Sequence, residues 1–287
     1  MKKKIIVLGS SGLIGHMTCF YLNKVDNFKV YNVSGSRKYN DDTEIINALN
    51  FEKIKQYIKK IQPHVVVNCI GILINQCKTS TQNAIFLNAL FPHLLNELSF
   101  DLNFKLIHIS TDCVFSGEKG ESYIESDLKD GKGTYAKTKG LGEINNNKNL
   151  TLRTSVIGPE LKKNGEELFS WFMSQNKEIN GFTNVYWSGV STIELAKTVI
   201  WGIRNNIKGL YHVTNGQKIS KNDLLSIINK YSNKNISINP DSSMCSDKSF
   251  IDTRKERDYL MPSYELMIKE LFVYMKQKHF NYTHYLN

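Results

Sequence analysis

The chain has few cysteines, and none of them pair in sequence. Among 287 residues only Cys19, Cys69, Cys77, Cys113 and Cys245 occur, far apart and without a CxxC. That spacing excludes a disulfide framework and a zinc knuckle, so the cysteines read as free thiols, mostly in a core. The histidines include no HExxH. Their one close pair, His279 and His284, lies in an end expected to fray, and no metal is assigned. No stretch approaches the roughly 18 to 20 apolar residues of a membrane helix, and the opening MKKKIIVLG turns polar too early for a signal peptide. The expectation is a cytoplasmic protein with no membrane partner. The formal charge of +10 comes without any nucleic-acid-binding motif, and its lysines and arginines are interleaved with acids along the whole chain. This excludes a nucleic-acid partner and leaves a solvated basic surface, whose field would steer a small anionic substrate towards a cleft.

With 41% hydrophobic residues the chain has ample material for a packed core. Short β-branched runs alternate with helical patterns through the first half, which predicts an α/β fold of the Rossmann type, a doubly wound parallel sheet. Strands are expected at 4–8, 28–33, 64–69, 104–110 and 150–155. Helices are expected at 12–24, 51–61, about 80–98 and about 135–145. Beyond Ile157 the texture changes to helical stretches near 166–175, 192–205 and 221–231 around a lone strand at 209–213. The reading is a nucleotide-binding domain over 1–157 and a smaller, mainly helical substrate-binding region over 158–287, with crossing segments between them left open.

Directly after the first strand comes Gly9-Ser10-Ser11-Gly12-Leu13-Ile14-Gly15, a GxxGxxG that opens a helix. Glycines there permit a tight turn and close approach of backbone to a pyrophosphate, and the helix amino terminus offers free N–H groups. An acid at the end of the second strand would hydrogen-bond the adenosine ribose of NAD, but the sequence reads Asn32-Val33-Ser34-Gly35-Ser36-Arg37-Lys38. That favours the 2′-phosphate of NADPH over NADH, with Arg37 as its bidentate partner. In Tyr135-Ala136-Lys137-Thr138-Lys139, the tyrosine and Lys139 fall four residues apart on one helix face. A phenol is a proton donor at neutral pH, and a nearby ammonium favours the anion it leaves, which suits reduction of a carbonyl. Ser110 and Thr111 stand where the strand 104–110 runs out, the end at which open α/β sheets bind ligands.

GSSGLIG, VVVNCIG, LNALFPHLL, STDCVFSG, YIESD, YAKTKGLGE and LRTS follow one another in that order. Together they resemble the extended short-chain dehydrogenase/reductases, most of all the dTDP-4-dehydrorhamnose reductase group of nucleotide-sugar reductases. The resemblance is densest from Lys4 to Gly158 and thinner through GLYHVTNG and FIDTRK. It implies an NADPH-dependent oxidoreductase acting on a nucleoside-diphosphate-linked 4-keto-6-deoxy sugar, in the synthesis of sugar precursors for polysaccharide. The catalytic residues it implies are Thr111 to hold the carbonyl oxygen, Tyr135 to protonate it and Lys139 to bind the nicotinamide ribose and poise the tyrosine. The cofactor would be held by Gly9, Ser11, Gly12, Leu13, Ile14, Arg37, Ile70, Gly71, Ser110, Tyr135 and Lys139, and the substrate by Thr111, Cys113, Tyr135 and Val156. A homodimer is left open.

Three departures from that group stand out. Cys113 replaces a usual tyrosine and Val156 a usual tryptophan, which implies a differently shaped sugar pocket, suited to an acetamido sugar. The proline common before the catalytic tyrosine is absent, and Asp130-Gly131-Lys132-Gly133 in its place is expected to loosen that loop. Two other readings share these motifs: an epimerase or dehydratase with tightly held NAD, against which the missing acid argues, and a non-catalytic regulatory binding subunit.

Overall fold

β1 (Lys3–Leu8) turns Ile5 and Val7 to one side and Ile6 and Leu8 to the other, and all four are fully buried. A strand apolar on both sides needs cover on both, which parallel sheets obtain from crossover helices. In the computed structural model, which describes residues 1–286, the chain supplies that cover by alternation. α1 (Leu13–Asn23), β2 (Phe28–Ser34), the short β3 (Glu44–Ile45), α2 (Phe51–Ile61) and β4 (Val65–Asn68) follow in turn. Asn50 caps α2 by accepting from Lys53 N–H, and Gln62 ends it in the left-handed region ahead of Pro63.

The single helix expected near 80–98 is instead three pieces, preceded by a short helix that was not expected. The preceding helix is α3 (Ile74–Thr79), and the pieces are α4 (Thr81–Ala84), a π-helical stretch from Ile85 to Leu90, and α5 (Phe91–Asp101). The break has a local cause: in a regular helix the ring of Pro92 would press on the Asn88 carbonyl, and the wider turn relieves that clash. β5 (Lys105–Thr111) and α6 (Gly133–Leu141) come next. α6 ends at Leu141, earlier than expected, and Gly142 just past it packs so close to the π segment that a Cβ there would lie 2.0 Å from the Asn88 carbonyl oxygen.

The remainder is β6 (Leu150–Thr154), β7 (Val156–Ile157), α7 (Leu168–Ser174), β8 (Ile179–Trp187), β9 (Val190–Ser191), α8 (Thr192–Arg204) and β10 (Gly209–His212), then β11 (Ile219–Ser220), α9 (Lys221–Ser232), β12 (Ile238–Asp247), α10 (Tyr264–Gln277) and α11 (Thr283–Leu286). Seven strands form one parallel sheet in the order β10-β6-β5-β4-β1-β2-β3. The chain therefore winds one way from β1 through β2 and the other way from β4 through β6. The switch falls between β1 and β4, where such folds open a crevice at the strands' carboxyl ends.

Two elements of the second half belong with this sheet. The strand at 209–213, expected to stand alone, is its edge strand and pairs with β6, and α8 packs on α1. β11, β8 and β12 form a separate three-stranded sheet that the sequence reading did not draw. β12, INPDSSMCSD, is polar and largely exposed, so it carries no alternating apolar signal. α10 also lay outside the expected elements. The end expected to fray is anchored: Tyr282 is fully buried and His284 Nε2 donates to Glu160 O at 3.1 Å.

One ion pair joins α6 to the far half of the sheet. Glu143, just past α6, takes Arg153 of β6 in a fork, Nε to Oε1 at 2.7 Å and Nη2 to Oε2 at 2.6 Å, with both side chains about 2% exposed. Burial pushes the Glu143 carboxyl up, but Arg153, Ser110 and Lys129 outweigh it and hold the group below the ordinary glutamate value. Arg153 also donates to His212 Nε2 of β10 at 2.8 Å, while His212 Nδ1 donates to Ile251 O at 2.9 Å. Burial and the guanidinium lower His212 to about 4, which keeps it a neutral acceptor. Removing one member leaves a buried charge unpaired, so Arg153→Met should cost about 3 to 5 kcal/mol in urea unfolding. The double variant Glu143→Leu/Arg153→Met should be more stable than either single variant.

Candidate active site

The turn after β1 is shaped by its glycines. Gly9 sits at φ +81°, and a Cβ on Gly15 would lie 2.0 Å from the Gly9 carbonyl oxygen. Helix α1 is thereby seated directly on the end of β1, with its first N–H groups facing the crevice. Ser11 and Ser34 join the ends of β1 and β2 through hydroxyls 2.6 Å apart. Past β2 the loop folds back on itself as Thr43 Oγ1 accepts from Tyr39 and Asn40 N–H groups. Arg37 is exposed on this loop at the cleft, and its guanidinium has no ion-pair or hydrogen-bond partner among the described residues. A glycine turn with no room for side chains and an unpaired guanidinium beyond it suit a dinucleotide carrying a 2′-phosphate.

The turn after β4 is set by two buried asparagines. Asn68 accepts from Ile70 N–H at 3.1 Å. Asn88, in the π segment, clamps the backbone of Ile72 from both sides, accepting its N–H at 2.9 Å and donating to its carbonyl at 3.1 Å. Gly71 lies against that clamp. The sequence reading gave Asn88 no role; its signal was a polar residue on a buried helix face, within a stretch wound as π helix.

Thr111 ends β5, and its hydroxyl accepts from Cys113 N–H at 3.2 Å and donates to Asp112 Oδ1 at 3.1 Å. Tyr135 and Lys139 lie on α6, and Lys139 Nζ donates to the Ile109 carbonyl of β5 at 2.7 Å. Ser110 points the other way, donating to Glu143 Oε1 at 2.7 Å. Burial lowers the Lys139 ammonium to about 8, with Glu143 opposing. Burial raises the Tyr135 phenol above the usual tyrosine value, Cys113 adds to that, and the Thr111 hydroxyl works against it. At neutral pH the tyrosine is a protonated donor beside a largely protonated lysine.

These groups share one cleft of about 630 Å³. Ser11, Gly12, Leu13, Ile14, Arg37, Ile70, Gly71, Ser110, Thr111, Cys113, Tyr135, Lys139 and Val156 all line it, while Gly9 lies beneath it, accepting from Gly12 N–H at 3.0 Å. Burial pushes the Cys113 thiol up to about 12, so it stays protonated. The loop before Tyr135, expected to be loose, is pinned. Asp130 accepts from Ser116 N–H at 2.8 Å, and Gly131 donates to Val114 O while lying so close to the Cys113 carbonyl that a Cβ would sit 2.4 Å from it. Glycine there gives tight packing in place of the proline's rigidity.

One part of the cleft lining was not foreseen. It carries Glu160, Lys162, Glu166 and Glu167, and Asn75 of α3 reaches across to Glu166 Oε2 at 3.3 Å.

The family model for the RmlD substrate binding domain matches residues 3–249. The chain is similar to the spore coat polysaccharide biosynthesis protein SpsK of Bacillus subtilis, 26% identical over 217 residues, which make up 74% of this chain and 73% of that one. It is also similar to dTDP-4-dehydrorhamnose reductase of Aggregatibacter actinomycetemcomitans, 25% identical over 225 residues, again 74% and 73% of the two chains. Among solved structures, dTDP-4-dehydrorhamnose reductase from Bacillus anthracis in complex with NADP superposes with a TM-score of 0.83 at 22% identity, covering 96% of this chain and 100% of that one. At that identity the likeness is one of fold.

Glu167 has an unusual setting. Burial, then the neighbouring carboxylates of Glu160 and Asp112, push its carboxyl up to about 7. In the unfolded chain it ionises near the ordinary glutamate value, so between that pH and 7 folding must keep it neutral, and above 7 must hold an unfavourable charge. Glu167→Gln should therefore raise the melting temperature at pH 8 and leave it unchanged at pH 4, as read by thermal unfolding at the two pH values.

Proposed function

Because the chain belongs to the RmlD substrate binding domain family, we propose that it reduces the keto carbon of a nucleoside-diphosphate-linked 4-keto-6-deoxy sugar with NADPH, making a sugar precursor for polysaccharide. The observation that carries this reading is the meeting of Thr111, Tyr135 and Lys139 at the carboxyl end of β5, in the same cleft as the glycine turn and Arg37. Support for the substrate class comes from relatives that are dTDP-sugar reductases and from one that is a polysaccharide biosynthesis protein. The unpaired Arg37, with no acid at the end of β2, favours NADPH over a permanently held NAD and so a reductase over an epimerase or dehydratase.

In this reading the glycine turn and the N–H groups of α1 bind the pyrophosphate, Arg37 the 2′-phosphate, and Lys139 the nicotinamide ribose. NADPH, when bound, supplies the hydride to the keto carbon. Thr111 turns its hydroxyl from Asp112 to the carbonyl oxygen and holds it against Tyr135. The phenol gives that oxygen its proton, so the product is an alcohol and the tyrosine is left as an anion. Lys139 lowers the cost of that anion, since a positive charge beside a phenolate favours the ionised form. Cys113 and Val156 border the sugar and leave it more room than large aromatics would.

Three outcomes test the assignment. NADPH oxidation followed against 4-keto-6-deoxy sugars on dTDP, UDP and GDP should identify a substrate, and its turnover should fall as pH rises through about 8, where Lys139 loses its proton. Tyr135→Phe keeps the ring and removes the donor, so turnover should drop by roughly 10² to 10⁴ with NADPH affinity nearly unchanged in a direct titration. Full activity in that variant would remove Tyr135 from the proton transfer. Arg37→Asp should weaken NADPH binding by about ten- to a hundredfold and leave NADH binding much less affected, the size of one charge-assisted phosphate contact.

A further inference from the structure

The segment around α11 lies behind the glycine turn and is hydrogen-bonded to it through one buried histidine. Tyr282 is fully buried, and its phenol oxygen is 2.8 Å from His16 Nε2. His16 is on the first turns of α1 and is itself about 1% exposed, and its Nδ1 is 2.8 Å from the Gly12 carbonyl oxygen. A carbonyl only accepts, so Nδ1 carries the proton and Nε2 receives the Tyr282 hydroxyl's. The relay runs in one direction, from Tyr282 through His16 to Gly12. Burial lowers His16 to about 4, so the ring is neutral and the direction does not change at neutral pH.

What this holds is a peptide plane. In a trans peptide the carbonyl of Gly12 and the N–H of Leu13 point in opposite directions. The Gly12 carbonyl takes two bonds from His16, the first helical N–H bond at 3.1 Å and the Nδ1 bond at 2.8 Å, so the Leu13 N–H of the same peptide plane turns the other way, and Leu13 lines the cleft. That N–H is one of the first-turn donors with no intrahelical acceptor, the type of group that receives a pyrophosphate oxygen. The segment's other end is fixed independently: the Tyr285 phenol lies 2.5 Å from Ser170 Oγ and accepts from Glu160 N–H at 3.2 Å, and His284 Nε2 donates to Glu160 O.

We propose that Tyr282 and His16 are positioning residues for the cofactor, holding the Gly12–Leu13 peptide from behind in the orientation that receives the pyrophosphate. The inference rests on the reading of this cleft as an NADPH site, and it assigns to the 282–286 segment a part in binding that lies outside the glycine motif.

The test uses the full chain, direct titration with NADPH, and thermal unfolding of each variant. Tyr282→Phe keeps the buried ring and removes the hydroxyl, leaving His16 Nε2 unpaired and its ring free to reorient. NADPH affinity should fall by about three- to tenfold, with turnover at saturating NADPH within about twofold of wild type. Tyr285→Phe loses a hydrogen bond from the same segment at its far end, where the His284 bond to Glu160 remains. It should lower the melting temperature comparably and leave NADPH affinity within about twofold of wild type. Unchanged NADPH affinity in Tyr282→Phe overturns the proposal, as does an equal loss in both variants, which would mean general loosening. Either result leaves the reductase reading standing, whereas failure of the wild type to bind NADPH brings down both.

Discussion

The Glu143–Arg153 pair is the contact on which the catalytic end of the sheet depends. Two charges removed from water gain from each other only if the remaining hydrogen-bonding positions are filled, and here they are: Ser110 and Lys129 complete the carboxylate, His212 and the Glu125 carbonyl the guanidinium. Because the partners come from different elements, satisfying the charges fixes geometry. Ser110 adjoins Thr111, Glu143 follows the helix of Tyr135 and Lys139, and His212 belongs to the edge strand. The β5 terminus and α6 are thus set against each other by a network on the side away from substrate. Phe115, stacked on Tyr123 and 4.9 Å beneath the Arg153 guanidinium, closes it from water.

The same network acts electrostatically on the cleft. Burial pulls the Lys139 ammonium down, and Glu143 opposes that most strongly, with the thiols of Cys69 and Cys77 adding to it. The lysine is left near 8, low enough to be adjustable and high enough to stay mostly charged at neutral pH. Tyr135 is moved the opposite way by the same burial. Burial therefore spreads the proton affinities of the two groups further apart than water would, and under the proposed function closing that gap falls to the carbonyl oxygen that takes the proton as its charge develops.

Most of the sheet was readable because β1, β2, β4, β5 and β6 carry their burial in their own sequence, as in the run VVVN, buried on both faces, whereas the two exposed residues of β3 carry no such signal. Strand 209–213 was seen as a strand but not placed, since its partner β6 is far away in sequence and no local pattern encodes that pairing. β12 was invisible for the reverse reason, being a largely exposed strand with polar residues throughout. Within the cleft, residues tied to a local motif were found, among them the glycine turn, Arg37, Thr111 and the Tyr135 helix. Asn88, Glu160 and Glu167 were missed because each acquires its role through tertiary packing, Asn88 beneath the cleft and the two glutamates on its lining. Asn88 matters only because Ile72 is folded beneath it, and Glu167 only because Asp112 and Glu160 come near.

The substitutions at Cys113 and Val156 gain meaning from that unforeseen part of the lining. Smaller residues at both positions would leave an under-filled pocket, and empty apolar volume is unfavourable unless a ligand or water occupies it. The lining is not wholly apolar: Glu160, Glu166 and Glu167 bring carboxylates to the cleft alongside Lys162, and the Asp112 carboxylate acts on Tyr135. Room made beside Cys113 and Val156 is therefore room bordered by hydrogen-bond acceptors. Glu160 already accepts from Glu166 N–H and Ser170, and Glu166 from Asn75, so it is the Glu167 carboxyl that hydrocarbon would strand, at a cost of about 1 to 3 kcal/mol. Under the proposed function, a sugar bearing hydroxyl or amide N–H donors would satisfy it, so small residues at Cys113 and Val156 and carboxylates on the same cleft would suit the same kind of occupant, one bulkier and richer in donors than a plain deoxy sugar.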